Sequence, residues 1–494
     1  MKKIITYLPS STAYFFILLF FYASISKILD FENFEVQIGQ SPLLSAYAGI
    51  VSYGVIITEL IIVLLLSIPK TRLLGLYAST ALMSAFTIYI YIILNFSDFV
   101  PCSCGGILEK LGWTEHLIFN IVCVGIGIVA IYLETVIRNL STRTNISLLF
   151  ISNVLSIALV IILFISSEHI IKKENNFTRR FFPNGLIEQE KRKLDNDFYY
   201  FAGQDQTSIF LGSITRPLEA KILSKNLSKS SNFKIQLDSY VHLYKNLRLL
   251  INSPHYYLHD GSVPVIFRGK INNPAALTIS YKDAYFDQLA VVDSTKFVFR
   301  TISGKTKAFT LGILNLNDGK KVKLHPEILT KQTDGIFDSD GLLISESDRK
   351  KLIYTYTYRN QLLVMNQNIN EHLSQNTIDT TSIAKIQTTT LSDGRNKMSA
   401  PSYRVNKLQT IYKKYLFNNS DLMGKNESRK KWKSASIIDI YNIENRSYVG
   451  SVYIADRNDK KISGLMVTED HLYAIIGTEI ISYSFRESLL NALQ

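Results

Sequence analysis

Residues 45–68 read SAYAGIVSYGVIITELIIVLLLSI: twenty-four residues with one acidic or basic side chain, Glu59. About 20 consecutive apolar residues span the hydrocarbon core of a bilayer as a helix. The run does not alternate apolar and polar residues, which excludes a barrel strand. A helix is then the one structure that satisfies its own backbone in lipid. Four further runs of this kind flank it, at Thr12–Leu29, Leu73–Leu94, Leu117–Leu133 and Ser147–Ser166. Lys2 and Lys3 give the first run the start of a signal peptide, but its length and the following spans favour an uncleaved helix.

Basic residues set the expected orientation. Lys2 and Lys3, then Lys70 and Arg72, then Arg138 and Arg143 occupy alternate connections and fall on one side, the cytoplasmic one. Asp30, Glu32 and Glu35, then Asp98, Glu109 and Glu115, lie in the opposite connections. Five spans then place everything after Ser167 outside the cytoplasm. The formal charge of +13 suggests nucleic acid, but its cations are scattered and no nucleic-acid motif accompanies them. The densest cluster, Arg429-Lys430-Lys431-Trp432-Lys433, falls on the outer side and reads as a solvated loop, with anionic lipid headgroups the lesser alternative.

Between the third and fourth spans stands Val100-Pro101-Cys102-Ser103-Cys104-Gly105-Gly106. The chain has three cysteines, and two are one residue apart at an expected membrane surface. Such thiols form a strained, easily reduced disulfide, hold a soft metal such as Cu(I), or stiffen the loop without further chemistry. Gly105 and Gly106 permit a tight turn and close approach of another backbone. An outer compartment favours thiol oxidation. Cys123, inside the fourth span, reads as a small buried hydrophobe. His116 opens that span at the same face, where an imidazole lowers a thiol pKa or moves a proton, or merely pads the interface. Trp113 reads as an interface anchor. Glu59 at mid-span is a site candidate because a buried charge is expensive there. The structural alternative is a glutamate hydrogen-bonded to a Ser or Tyr of a neighbouring helix. Lys27, near the end of span one, sits at a depth that need not match Glu59, so no ion pair is assigned.

After Glu168 the composition changes. Residues 168–197 are polar and read as a connector. From Tyr199 onward, short β-rich runs alternate with turn dipeptides such as Asp260-Gly261, Asp318-Gly319 and Asp393-Gly394. Pairs include Tyr256–Leu258 with Val263–Phe267, Leu352–Tyr358 with Gln361–Met365, and Leu472–Ile476 with Glu479–Phe485. About six groups recur at intervals of roughly 35–60 residues, in the range of propeller blades. A six-bladed β-propeller is the expected fold, with a β-sandwich pair as the competitor. Tyr199–Ala202 is the expected closing strand. His255, His259 and Asp260 cluster at one turn and read as a solvated hairpin tip rather than a metal or acid–base site. The chain has no Walker A loop, Rossmann fingerprint, HExxH or C-x-x-C motif. No cofactor or metal is implied, and any electron carrier is a separate protein.

Residues 10–135 resemble the MauE/DoxX family of redox-associated membrane proteins. The resemblance rests on Ser26-Lys27, Phe31, Phe34, Glu59, the Val100–Gly106 stretch, Trp113, His116 and Asn120. It implies a four-helix membrane bundle linked to disulfide formation or maturation of periplasmic proteins, beside a thioredoxin-like partner. Cys102 and Cys104 carry over as the redox pair. The remainder looks like propeller domains of Gram-negative envelope proteins. The expected domains are 1–140, the MauE/DoxX-like bundle; 141–167, a fifth span; 168–197, the connector; and 198–494, a periplasmic β domain. The expected function is a thiol–disulfide accessory of the bacterial inner membrane, with Cys102, Cys104, His116 and Glu59 as its reactive residues. Its expected partners are the lipid bilayer, a thioredoxin-like protein and a client. The alternative is a non-catalytic scaffold or sensor whose propeller binds a peptide or glycan.

Overall fold

A computed structural model describes residues 2–494 except 42–43, 45–46, 97–111, 172–174, 347–350, 393, 395, 402 and 494, and without the side chains of 2–6, 40, 96 and 167–171. Two units emerge. One comprises residues 1–173 with 386–402; the other comprises 174–385 with 403–494.

The first unit is built from α1 (Lys2–Leu29), α2 (Phe31–Gln40), α3 (Ala48–Ser67), α4 (Arg72–Phe96), α5 (Trp113–Ile137) and α6 (Thr142–Ile171). All but α2 are long and apolar enough to cross a membrane, as the five apolar runs require. The chain is a multi-pass membrane protein. One core cluster draws on four helices: Phe16 and Phe20 from α1, Ile62 and Leu66 from α3, Leu76 and Met83 from α4, and Cys123 and Ile131 from α5. Cys123 is a free thiol buried there, as its apolar setting suggests. Close packing of α4 on α5 depends on Gly127, where a Cβ would come within 2.5 Å of Thr80 Oγ1. Contacts between membrane helices come from packing and polar pairs rather than from expulsion of water. Accordingly α6 is pinned to α4 by polar groups: the Tyr77 hydroxyl donates to Asn145 Oδ1 (2.8 Å) and Ser84 Oγ to Asn153 Oδ1 (2.5 Å).

Short α2 packs Phe34 and Ile38 against Ile56 of α3 and Ile92 and Ile93 of α4. Its polar side receives the hairpin formed by Thr388–Thr390 and Asn396–Met398. Ser392 N–H donates to Glu32 Oε2 (3.0 Å) and Lys397 Nζ to Asn33 Oδ1. Gly39 lets the two meet, since a Cβ there would collide with the Ser399 carbonyl.

The second unit is a six-bladed propeller. Blades 1 to 5 occupy residues 199–234, 248–281, 288–325, 341–376 and 406–455. Each is a four-stranded antiparallel sheet, and blade 2 adds a short parallel strand at Gln236–Leu237. Blade 6 takes three strands from 462–485, and its fourth is Leu186–Lys193, paired antiparallel with Glu479–Phe485. The closing strand is therefore Leu186–Lys193, from the polar segment read as connector, and not Tyr199–Ala202, which begins blade 1. Its sequence, LIEQEKRK, hides this role because an outermost strand is mostly exposed.

Period-two alternation explains the ring. Six apolar clusters each straddle one pair of neighbouring blades. Tyr256 of blade 2 faces Ala220 of blade 1, while Tyr257 faces Phe297 of blade 3. Ile353 of blade 4 faces Leu416 of blade 5, while Tyr354 faces Val298 of blade 3. A sandwich has no such closed cycle.

Candidate functional site

Chain direction sorts the bundle's polar residues. The end where α1 gives way to α2 and α3 begins is also where α4 ends and α5 begins. Phe20, Ile62 and Cys123 share the core cluster. One helical turn further toward that end lie Ser24 on α1, Glu59 on α3 and Asn120 on α5. All three are buried. Another turn on come Lys27 and His116. A polar layer thus lies across three helices directly above an apolar one.

Glu59 is at its centre. Only 1% of its surface is exposed, yet it is served on both oxygens. Lys27 Nζ lies 2.5 Å from Oε1, and Ser24 Oγ donates to Oε2 at 3.0 Å. The hydroxyl partner expected from a neighbouring helix is Ser24. The ion pair left unassigned by depth is present, because Lys27 reaches back along α1 toward the interior. Its ammonium also lies 5.6 Å from the centre of the Phe34 ring on α2, a cation–π distance. His116, in the first turn of α5, is within electrostatic reach of the same ammonium. Asn120, one turn along α5, is buried with its Nδ2 lacking a hydrogen-bond partner among the described residues. A buried unpaired donor costs about 1–3 kcal/mol, so it is a marked feature of this layer.

Two of the four expected site residues, Glu59 and His116, therefore join one cluster. Cys102 and Cys104 lie outside the described residues; the segment that holds them, 97–111, connects α4 to α5 at the cluster's end of the bundle. Lys27, Ser24 and Asn120 complete it. Helical spacing of Ser24 with Lys27, and of His116 with Asn120, was the signal available for the additions.

In the propeller, His259 and Asp260 do not form a solvated tip. Both are buried on the strand His255–Asp260. Burial pushes the His259 imidazole down to about 4, despite the nearby Asp260 carboxylate. Burial raises Asp260, but the N–H groups of Asn246, Lys245 and Val263 and the Ser262 hydroxyl outweigh it and hold its carboxyl below the usual range. Those bonds occupy the carboxylate as a turn staple. Among the described residues no three His, Cys, Asp or Glu side chains are grouped to hold a metal. A cavity of about 360 Å³ opens among loops of blades 1, 2, 5 and 6, lined by Gln204, Asp205, Ser253, Tyr412 and Glu469.

Arg179, in the stretch read as connector, is instead a buried anchor on blade 5. It bonds Asp439 (2.7 Å), Glu427 (2.8 Å) and the Ser420 hydroxyl (2.9 Å). Burial opposes its charge, but the two carboxylates outweigh burial and keep it protonated. Beside it Phe181 stacks on Tyr453, with ring centres 4.3 Å apart.

No curated protein matches the chain. Solved structures similar to this chain at low identity include the following three. The nidogen/laminin complex is 9% identical, covers 53% of this chain and 81% of its own, and has a TM-score of 0.33. YCF48 bound to D1 peptide is 8% identical, covers 63% and 100%, and has a TM-score of 0.35. A structural genomics protein of unknown function from Bacteroides thetaiotaomicron is 10% identical, covers 64% and 77%, and has a TM-score of 0.38. Residues 4–133, the segment that builds the polar layer, match the family model of the methylamine utilisation protein MauE.

Proposed function

We propose that this protein exchanges disulfides through Cys102 and Cys104 at the extracytoplasmic face of a bacterial inner membrane. In this reading the propeller recruits the client or partner on that side. The observation that carries the reading is the Glu59–Lys27–Ser24 cluster with His116, at the end of the bundle that segment 97–111 joins. The match of residues 4–133 to MauE supports it.

The chemistry needs a thiolate, a positive charge that favours it, and a group that moves a proton. One thiolate of the pair attacks a disulfide sulfur of a thioredoxin-like partner. That S–S bond breaks, and the partner's second sulfur leaves as a thiolate. The other thiol of the pair then gives its proton to His116 and attacks the mixed disulfide. A Cys102–Cys104 bond forms, and the partner departs reduced by two electrons as two thiolates, one taking the proton back from His116 and the other taking one from water. The reverse sequence oxidises the partner. Lys27 supplies the fixed positive charge, and Glu59 holds Lys27 in place.

A mixed-disulfide trap tests this. Cys102→Ser and Cys104→Ser variants are each isolated under acid quench with whatever remains covalently attached. The reading expects one of them to carry a partner released by dithiothreitol. If neither does, and replacing both cysteines changes no client's oxidation state, the scaffold reading replaces it.

A further inference from the structure

We propose that the hairpin of Thr388–Thr390 and Asn396–Met398 is a clasp on α2 that sets the position of Lys27, with Phe34 as the positioning residue between them. The clasp governs the thiol exchange proposed above, and its role rests on that reading.

Helix α2 is covered on two faces. Phe34 and Ile38, four residues apart, pack on α3 and α4. Glu32, Val36 and Gly39 follow the spacing i, i+4, i+7 and make a second face. The hairpin meets both ends of that face. Ser392 N–H donates to Glu32 Oε2 (3.0 Å), and the Ser399 carbonyl lies where a Cβ on residue 39 would come within 2.2 Å of it. Val36, between them, is 4% exposed. Lys397 Nζ adds a bond to Asn33 Oδ1.

Neither element is built to stand alone. Helix α2 has 10 residues, and isolated helices shorter than about 12–15 residues are marginal in water. The hairpin has 3 residues in each strand, and an isolated two-stranded hairpin is marginal as well. Each therefore orders the other. The Ser392–Glu32 bond is exposed, and contacts of this kind open at far lower free energy than the whole fold.

The consequence falls on Lys27. Asn33, which the hairpin holds, directly precedes Phe34. The centre of the Phe34 ring lies 5.6 Å from the Lys27 ammonium, which pairs with buried Glu59. A lysine head on its flexible stem otherwise extends toward water. With the clasp closed, ring and carboxylate both hold the ammonium. With it open, α2 and its ring loosen, and the carboxylate holds it alone.

Gly39→Ala in the full chain tests this. Alanine is the better helix former, so α2 itself is not weakened, while the new methyl meets the Ser399 carbonyl. Hydrogen exchange of residues 387–399 and amine labelling of Lys27 are followed by mass spectrometry in nanodiscs. Hairpin exchange is expected to quicken about tenfold, and Lys27 labelling to rise about threefold, with Lys70 unchanged. Glu32→Ala with Asn33→Ala should do the same, and Phe34→Leu should raise Lys27 labelling to the same extent. Hairpin exchange unchanged in both clasp variants overturns the proposal. So does faster exchange with Lys27 labelled as in the unaltered chain. Neither readout uses the cysteines, and both are repeated with Cys102→Ser and Cys104→Ser, so a failed clasp and a failed mixed-disulfide trap give different results.

Discussion

Replacing Lys27 by Met removes the cation from the Glu59 carboxylate, which is 1% exposed and keeps only the Ser24 hydroxyl. Breaking a buried ion pair by deleting one partner costs about 3–5 kcal/mol, because the other charge stays uncompensated. Glu59→Gln is milder. The amide still accepts from Ser24, and Lys27, 13% exposed at the side chain, can extend its ammonium toward the end of the helix. About 2 kcal/mol is expected there. Lys27→Met with Glu59→Gln leaves no charge in the layer. The double variant should therefore be more stable than the sum of the singles by about 2–3 kcal/mol. Reversible unfolding of the full chain in mixed micelles, titrated with a denaturing detergent, gives the three differences. A coupling below about 0.5 kcal/mol would show that the pair does not hold the layer together and would remove the physical basis for the site.

Two further perturbations test the propeller. His259 sits near 4 when folded against an ordinary value of 6.5. Above pH 6.5 neither state binds the proton, so its folded stability is fully present. As pH falls, the unfolded chain takes up a proton the folded chain refuses, and stability drops by about 3 kcal/mol between pH 7 and pH 4. His259→Phe should flatten that part of the stability curve; an unchanged slope would contradict the assignment. Arg179→Met strands the buried Asp439 and Glu427 carboxylates and should cost about 3–5 kcal/mol in thermal unfolding of the full chain. A loss under about 1 kcal/mol would mean that the segment entering the propeller is not anchored there.

Legibility in the sequence followed burial. The five membrane helices were plain because lipid demands long apolar runs, and middle strands such as Ala435–Asn442, buried throughout, stood out as β-rich. The edge strand Leu186–Lys193 was not plain. It is paired on one side only, and its charged residues face water, so nothing in its composition separates it from a connector. Arg179 was hidden for a related reason. Its ion partners lie about 250 residues downstream, and a basic residue after a membrane span reads as a surface charge. Glu59 and His116 were legible singly because ionisable groups in apolar runs are rare. Their common cation was not, since α-helical depth cannot be compared between helices whose ends are unknown. His259 and Asp260 misled in the opposite direction, because a turn dipeptide marked the chain reversal but not that the strand before it lies between two other blades.

In the proposed function, Cys102 and Cys104 cycle between thiols and a disulfide. Cells carrying the full chain are quenched in acid, and free thiols are alkylated with a mass-tagged maleimide before and after reduction. Two populations are expected, differing by two tags at Cys102 and Cys104, with Cys123 always reduced and a shifted ratio in Lys27→Met. Full alkylation of both cysteines in every sample, without prior reduction, would contradict it.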